Sequence, residues 1–372
     1  MVDQEMNDLM TEEEKTEQIK TEIITDKKCP NCAATLVYDP ETKGILCSYC
    51  GFTKVMPQAA EQAPVQEMSF EEAKARASYD WGTAKKMVVC QNCSGTSIYD
   101  ALETAAICPF CGSTHVMPAV SNESIAPGGV CPFEIPMKRA GELFTRWLKG
   151  RIFTPSEAKR QAKPEAFTGI YLPYWTFDAM THSKFQGQAG YDKRVKKGDS
   201  YEIETTWKNV AGEYDEFIDD QMIVGSKRHE DSGIKKAEPF DFAKLVPYNP
   251  ELIAGFIAER YSIGLDEAWQ NAQGMIHNRL TYNIEGYIRQ AWRADRAGKV
   301  AFSTIFSKIT YKYILVPVWV SSFTYKGKSY QFVVNGQTGK VGGKAPISPI
   351  RVALAILGVL GLIALFLTFV NM

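Results

Sequence analysis

The sequence predicts a multidomain chain: two small β zinc ribbons, an α+β domain built on an antiparallel sheet, and one C-terminal transmembrane helix. Three observations predict it. Eight of the nine cysteines fall into four Cys-x-x-Cys pairs, those pairs recur in two copies that align without a gap, and residues 352–370 form an uncharged apolar run. The expected boundaries are an acidic flexible segment over 1–27, ribbon one over 28–57, a linker with a short helix over 58–86, ribbon two over 87–118, the α+β domain over 119–345 and the anchor over 346–372. In 372 residues, a composition of 45% hydrophobic and 23% charged supports a sizeable core. The formal net charge of -1 gives no global attraction to nucleic acid or acidic lipid, so such contacts have to be local.

The acidic first segment lacks the basic start, apolar run and cleavage site of a secretory signal. An unexported chain in a reducing compartment is therefore expected, and there Cys-x-x-Cys pairs read as metal ligands rather than disulfides. From Cys29 the chain runs CPNCAATLVYDPETKGILCSYCGFTKVMP, and from Cys90 it runs CQNCSGTSIYDALETAAICPFCGSTHVMP. Cys29, Cys32, Cys47 and Cys50 fall on Cys90, Cys93, Cys108 and Cys111, and Tyr38-Asp39 falls on Tyr99-Asp100.

Two thiolates of one Cys-x-x-Cys turn reach a metal from one side, and a second turn supplies the other corners of a tetrahedron. In the first copy Leu36-Val37-Tyr38 and Ile45-Leu46 flank the turn residues 39–44, so a hairpin brings the pairs together. Gly51 and Gly112 suit the tight turn after the last ligand. Some thirty residues bury too little surface to fold alone, so a structural Zn2+ in each copy is expected to supply much of the stability of a self-contained module. A rubredoxin-like iron site and a dithiol redox pair are the alternatives for the same four thiolates. His115 has Lys54 at the matching place of the first copy and reads as a surface residue, and the odd Cys131 reads as a small buried hydrophobe. Nucleic-acid binding is disfavoured, because the second copy has Asp100 and Glu103 but no Lys or Arg between Cys90 and Pro118.

Between the copies, 58–66 reads as a flexible linker, and Ser69 with Glu72 reads as a capping box opening a helix to about residue 80. Later, Leu143, Phe144, Trp147 and Leu148 form a helical stripe, Leu252, Ile253, Phe256 and Ile257 repeat it, and a further helix is expected over 265–293. Each stripe leads to a Pro-x-Trp run, Tyr171-Leu172-Pro173-Tyr174-Trp175 and Leu315-Val316-Pro317-Val318-Trp319, as though this domain were also duplicated. Alternating stretches over 181–188, 201–207, 321–325 and 330–334 read as hairpin strands, with Pro173 and Pro317 at strand starts or edges.

No catalytic motif stands out. His182, His229 and His277 lie in unrelated contexts, Asp178 reads as a satisfied structural carboxylate, and Lys193, Arg194, Lys196 and Lys197 read as a solvated hairpin tip. The run VALAILGVLGLIALFLTFV over 352–370 matches the thickness of a bilayer core, and Lys340, Lys344 and Arg351 before it place the bulk of the chain on the cytoplasmic side of the cell membrane. Ala355, Gly358, Gly361 and Ala364 form a small-residue strip on that helix.

With the duplicated ribbons, Pro132-Phe133-Glu134-Ile135, Trp147, Tyr171-Leu172-Pro173-Tyr174-Trp175-Thr176-Phe177-Asp178 and the terminal anchor, the chain resembles a family of bacterial tandem zinc-ribbon proteins with a C-terminal membrane anchor. The resemblance covers nearly everything after residue 28. It implies a non-enzymatic membrane adaptor in the envelope-stress response, with a PspA-like or a flotillin-like (SPFH) protein as partner and the eight ribbon cysteines as zinc ligands. A membrane-tethered nucleic-acid-binding regulator and an enzyme with an unrecognised site in the middle domain are the competing function classes.

Overall fold

The computed structural model describes residues 28–73, 85–90, 96–100, 116–118, 125–161, 167–198, 200–227 and 233–370, with only the backbone path for 85–90, 96–100 and 116–118. The first copy forms its own three-stranded antiparallel sheet of β1 (Val37–Asp39), β2 (Gly44–Leu46) and β3 (Thr53–Val55). Its turn is closed by Asp39, whose carboxylate accepts from the backbone of Glu41 and Thr42 and from the Thr42 hydroxyl.

A second, curled and mainly antiparallel sheet holds the other 12 described strands. In chain order these include β4 (Met68–Ser69), β5 (Lys85–Cys90), β6 (Thr96–Asp100), β7 (Val116–Pro118) and β8 (Gly129–Val130). Helices α1 (Met137–Lys149) and α2 (Ser156–Gln161) then lead into β9 (Thr168–Lys197) and β10 (Ser200–Val224). After β11 (Val246–Pro247) and β12 (Ile257–Glu259) come α3 (Leu265–Ala291), β13 (Arg296–Tyr325), β14 (Lys328–Asn335), β15 (Val341–Gly343) and α4 (Pro349–Val370).

Two units of like design build this sheet. The order β8, α1, β9, β10 is repeated as β12, α3, β13, β14, and each unit's short strand runs parallel to the other unit's long one, β8 beside β13 and β12 beside β9. The long strands pair antiparallel, with Pro173 opposite Leu315 and Pro317 opposite Tyr171. The two Pro-x-Trp runs have equivalent surroundings. Trp175 donates its indole N–H to the Ile263 carbonyl and Trp319 to the Ile135 carbonyl, each at 2.8 Å, just before the helix of a unit. Tyr261 packs edge-on against Trp175 at 5.2 Å, and Phe133 lies 4.8 Å from Trp319. An internal duplication of this domain accounts for the match.

Both faces of the sheet are covered at its centre. Tyr171, Trp175, Phe177, Tyr311, Tyr313 and Leu315 face one cluster, and Ile170, Leu172, Tyr174, Ile314, Val316 and Val318 face another with Cys131. Burial on both faces is why these runs read as unbroken apolar stretches. Cys131 is fully buried, as its sequence context predicts. Beyond Asp178, β9, β10 and β13 continue as a three-stranded arm with α3 along one face, where Phe177 and Phe306 pack on Trp269 and Phe185 packs on Tyr287. Lys193, Arg194, Lys196 and Lys197 sit at its exposed tip, where Lys197 pairs with Glu202.

Several expectations need correcting. The stripe at Leu252, Ile253, Phe256 and Ile257 is a 3-10 turn (Pro250–Ile253) followed by β12, and the helix of the second unit is α3. Ser69 does not cap a helix but pairs with Thr310 in β13, and part of the 58–66 linker is a 3-10 turn, Ala59–Glu61. The helix expected to about residue 80 falls largely outside the described residues. The separate hairpin strands over 181–188 and 201–207 are parts of the much longer β9 and β10. Pro173 and Pro317 lie inside central strands. Each nevertheless sits where an outer neighbour has just ended, so its carbonyl accepts from Gly225 or Gly336 and no ladder N–H is missed.

Candidate metal centre

The four cysteines of the first copy converge. Their Sγ atoms all lie within 4.8 Å of one another, with Cys29 and Cys50 at 3.3 Å and Cys32 and Cys47 at 3.5 Å. A tetrahedron with metal–sulfur bonds of about 2.3 Å has edges of about 3.8 Å, so the thiols are spaced for one ion. All four are free cysteines.

Two matching turns place them. Cys29 accepts from the N–H of Ala33 and donates its own N–H to Ala34, while Cys47 accepts from Gly51 and donates to Phe52. Both turns need a left-handed residue, Gly51 at φ 74 and Ala33 at φ 58. Glycine takes that backbone freely, as expected for Gly51, whereas an L-residue loses roughly 1–2 kcal/mol there. The backbone N–H groups of Cys50 and Tyr49 favour the Cys47 thiolate and bring that thiol down to about 6. The donor set fits a soft metal and no outside ligand is needed to complete it.

The first copy is joined to the large sheet. Tyr38 donates its N–H to Ala254 at 3.0 Å and its hydroxyl to the Phe133 carbonyl at 3.4 Å, and Lys54 pairs with Glu251 at 3.2 Å. Cys29, Leu36, Tyr38, Ile45, Cys47 and Met56 are buried in the same cluster as Phe133 and Trp319. The self-contained module expected from the sequence is instead one wall of a shared core.

Of the second copy, Cys93, Cys108, Cys111, Gly112 and His115 lie outside the described residues, and Cys90 is described by its backbone at the end of β5. The registers can still be compared. Lys28 bridges Thr35 in the first copy, and Val89 pairs with Thr96 in the second, which are the same positions of the repeat. The second hairpin extends the large sheet, with Ile98 opposite Ala258 of β12.

The other residues singled out have structural settings. His182 lies 2.6 Å from Asp215 on the arm, His277 stacks on Phe302 at 4.5 Å, and His229 is outside the described residues. Asp178 is less ordinary. It is buried where both β10 and β13 bulge beside β9. It accepts from the N–H of Asp220 at 2.6 Å and lies 3.9 Å from Lys312, which also contacts Asp220 at 2.9 Å and Glu67 at 3.1 Å. Burial, reinforced by the Glu67 carboxyl, pushes Asp178 up to about 7. This cluster was missed because its members are far apart in sequence; the paired bulges that assemble it have no sequence signature.

The described residues thus define a tetracysteine cluster with metal-ligand spacing, set against a curled sheet domain that ends in one helix long and apolar enough to span a membrane. Among known proteins, the chain is similar to "Uncharacterized protein YdjG" of Bacillus subtilis (strain 168), with 29% identity over 336 residues that cover 89% of this chain and 93% of that one. No family model matches the chain. No solved structure matches it either.

Proposed function

We propose that this protein is a membrane-anchored zinc-ribbon adaptor that recruits proteins to the cytoplasmic face of the cell membrane. The observation that carries the reading is the Cys29, Cys32, Cys47 and Cys50 cluster. Four thiolates on one ion leave no coordination position for water or substrate, which is the signature of a structural site rather than a catalytic one. Zn2+ fits this all-thiolate tetrahedron, and Cys90, Cys93, Cys108 and Cys111 hold a second ion in the copy with matching register. The helix α4 supplies the anchor, and Lys340, Lys344 and Arg351 at its near end favour a cytoplasmic bulk.

Confinement to a membrane raises the effective concentration of partners held there, so weak contacts at the ribbons and sheet become stable through multivalency. The family resemblance points to a PspA-like or flotillin-like protein, and a role in envelope stress, as the first partner and process to examine. Crosslinking the full chain in intact membranes, followed by affinity capture and mass spectrometry, tests this. Recovery of one dominant membrane-associated protein is expected; recovery of nucleic acid, or of no partner at all, would remove the adaptor reading.

A further inference from the structure

Helix α4 leaves the sheet domain through a closely fitted root. The Arg351 guanidinium donates to the carbonyls of Ile152 at 2.9 Å and Thr154 at 2.8 Å, and to the Ser156 hydroxyl at 2.8 Å. The N–H of Ser348 donates to the Phe153 carbonyl at 2.8 Å. After Val352 every described side chain of the helix is exposed. The loop 150–155 between α1 and α2 is therefore fixed at the level of the helix's first turn.

That level is set by the bilayer. A hydrocarbon core takes about 20 helical residues, and α4 has 22, so a spanning α4 lies almost wholly in hydrocarbon and its first turn lies at the headgroup boundary. The loop carries side chains suited to that boundary. Ile152 is 76% exposed, Phe153 41% and Ile347 69%. They line an open groove of about 650 Å³ together with Leu143, Arg146 and Arg151. Arg151 is held over the Trp147 ring at 4.2 Å.

The charge is equally local. Residues 137–160 carry seven Lys and Arg against Glu142 and Glu157, a balance of +5 in a chain of net charge -1. Glu142 is engaged by Arg139 at 2.7 Å, and of the groove's basic residues Arg146 and Arg151 are exposed with no acidic partner among the described residues. Basic side chains beside an apolar rim match an anionic lipid, whose phosphate sits above its acyl chains. A free phosphate would leave the apolar rim without a function.

We propose that this groove seats the headgroup of an anionic phospholipid, with Arg146 and Arg151 on the phosphate and Ile152, Phe153 and Ile347 among the first acyl carbons. The proposal rests on α4 spanning the bilayer. Its consequence is that the sheet domain stands on the membrane in a fixed orientation instead of swinging from a tether.

Hydrogen–deuterium exchange of peptides covering residues 146–156 tests it, using the full chain in phosphatidylcholine nanodiscs with and without phosphatidylglycerol, and in detergent. Exchange slower by at least about fivefold with phosphatidylglycerol is expected, the factor that one basic side chain contributes at an anionic surface. The double change Arg146→Gln/Arg151→Gln should abolish that difference while bound metal and nanodisc incorporation stay unchanged. Ile152→Ser should reduce protection with the basic residues intact. Equal exchange in both lipid compositions by an incorporated chain overturns the lipid seat and leaves the anchor standing. Equal protection in detergent means the chain covers its own groove and overturns it too. A chain that enters neither nanodisc overturns the anchor and the seat with it.

Discussion

Asp178 is the residue through which pH should reach the fold. Its carboxyl titrates at about 7 in the folded chain against an ordinary 3.8, so the folded state holds a proton that the unfolded state has released. Stability from this group is therefore full below about pH 4 and is lost as the pH rises through 7. Glu67 moves the other way: although burial opposes ionisation, its contacts with Asp178, Thr310 and Lys312 hold its pKa below the usual value. Its contribution is present above the ordinary Glu range and lost in acid. Lys312 is raised by Asp220, Glu67 and Asp178 despite its burial, and loses its contribution only in strong alkali. Asp178→Asn imitates the protonated carboxyl. The variant should lack the fall in melting temperature that this carboxyl imposes on the parent between about pH 5 and 8, so the difference between the two proteins should grow as the pH rises; parallel melting curves for both proteins across that range would contradict the assignment. The cysteine cluster was legible because two of its thiols share one Cys-x-x-Cys turn. Asp178 was legible as a buried carboxylate, but its partners Glu67, Asp220 and Lys312 come from three other strands or strand ends, and no local pattern announces them.

At the scale of elements, periodicity succeeded where one face decides an element and failed where two faces are buried. The hairpin of the first copy, the helix from Leu265 and the paired strands containing 321–325 and 330–334 follow their local residues. The stripe at Leu252 to Ile257 has helical spacing, yet Pro250 and Gly255 break it and the chain turns into β12. The length of β9, β10 and β13 was also hidden, because their outer halves owe their order to α3 packed across them, a contact between distant segments. Strand β1 offers a direct test of how independent the first copy is. Since Tyr38 is hydrogen-bonded to Ala254 and Phe133, Cys29→Ser should destabilise the sheet domain as well as the ribbon. The loss should be on the order of 3 kcal/mol, comparable to removing a buried aromatic side chain. Thermal melting followed in the sheet domain checks this, and an unchanged domain transition would show the ribbon to be a separate module after all.

At the scale of the molecule, two duplications are superimposed: the tandem four-cysteine repeat of the sequence, and the two β-α-β-β units that exchange their short strands. The two copies join the larger body in different ways, the first through buried side chains and the second by adding its hairpin to the sheet beside β12. One pairing is common to both copies, Lys28 with Thr35 and Val89 with Thr96, although they dock differently. The constraint common to both copies is the set of four cysteines at fixed spacing. Each copy should therefore bind its own ion, and because structural zinc contributes on the order of 10 kcal/mol to such a module, both ions should survive purification. Native mass spectrometry of the full chain is expected to show two zinc ions, falling to one when Cys90 or Cys29 is changed to Ser. A parent mass with one ion would mean that the second copy keeps the fold of a ribbon without its metal. A red iron-loaded protein would assign the same thiolates to electron transfer. Two zinc ions retained in the Cys90→Ser variant would place the second ion elsewhere in the chain.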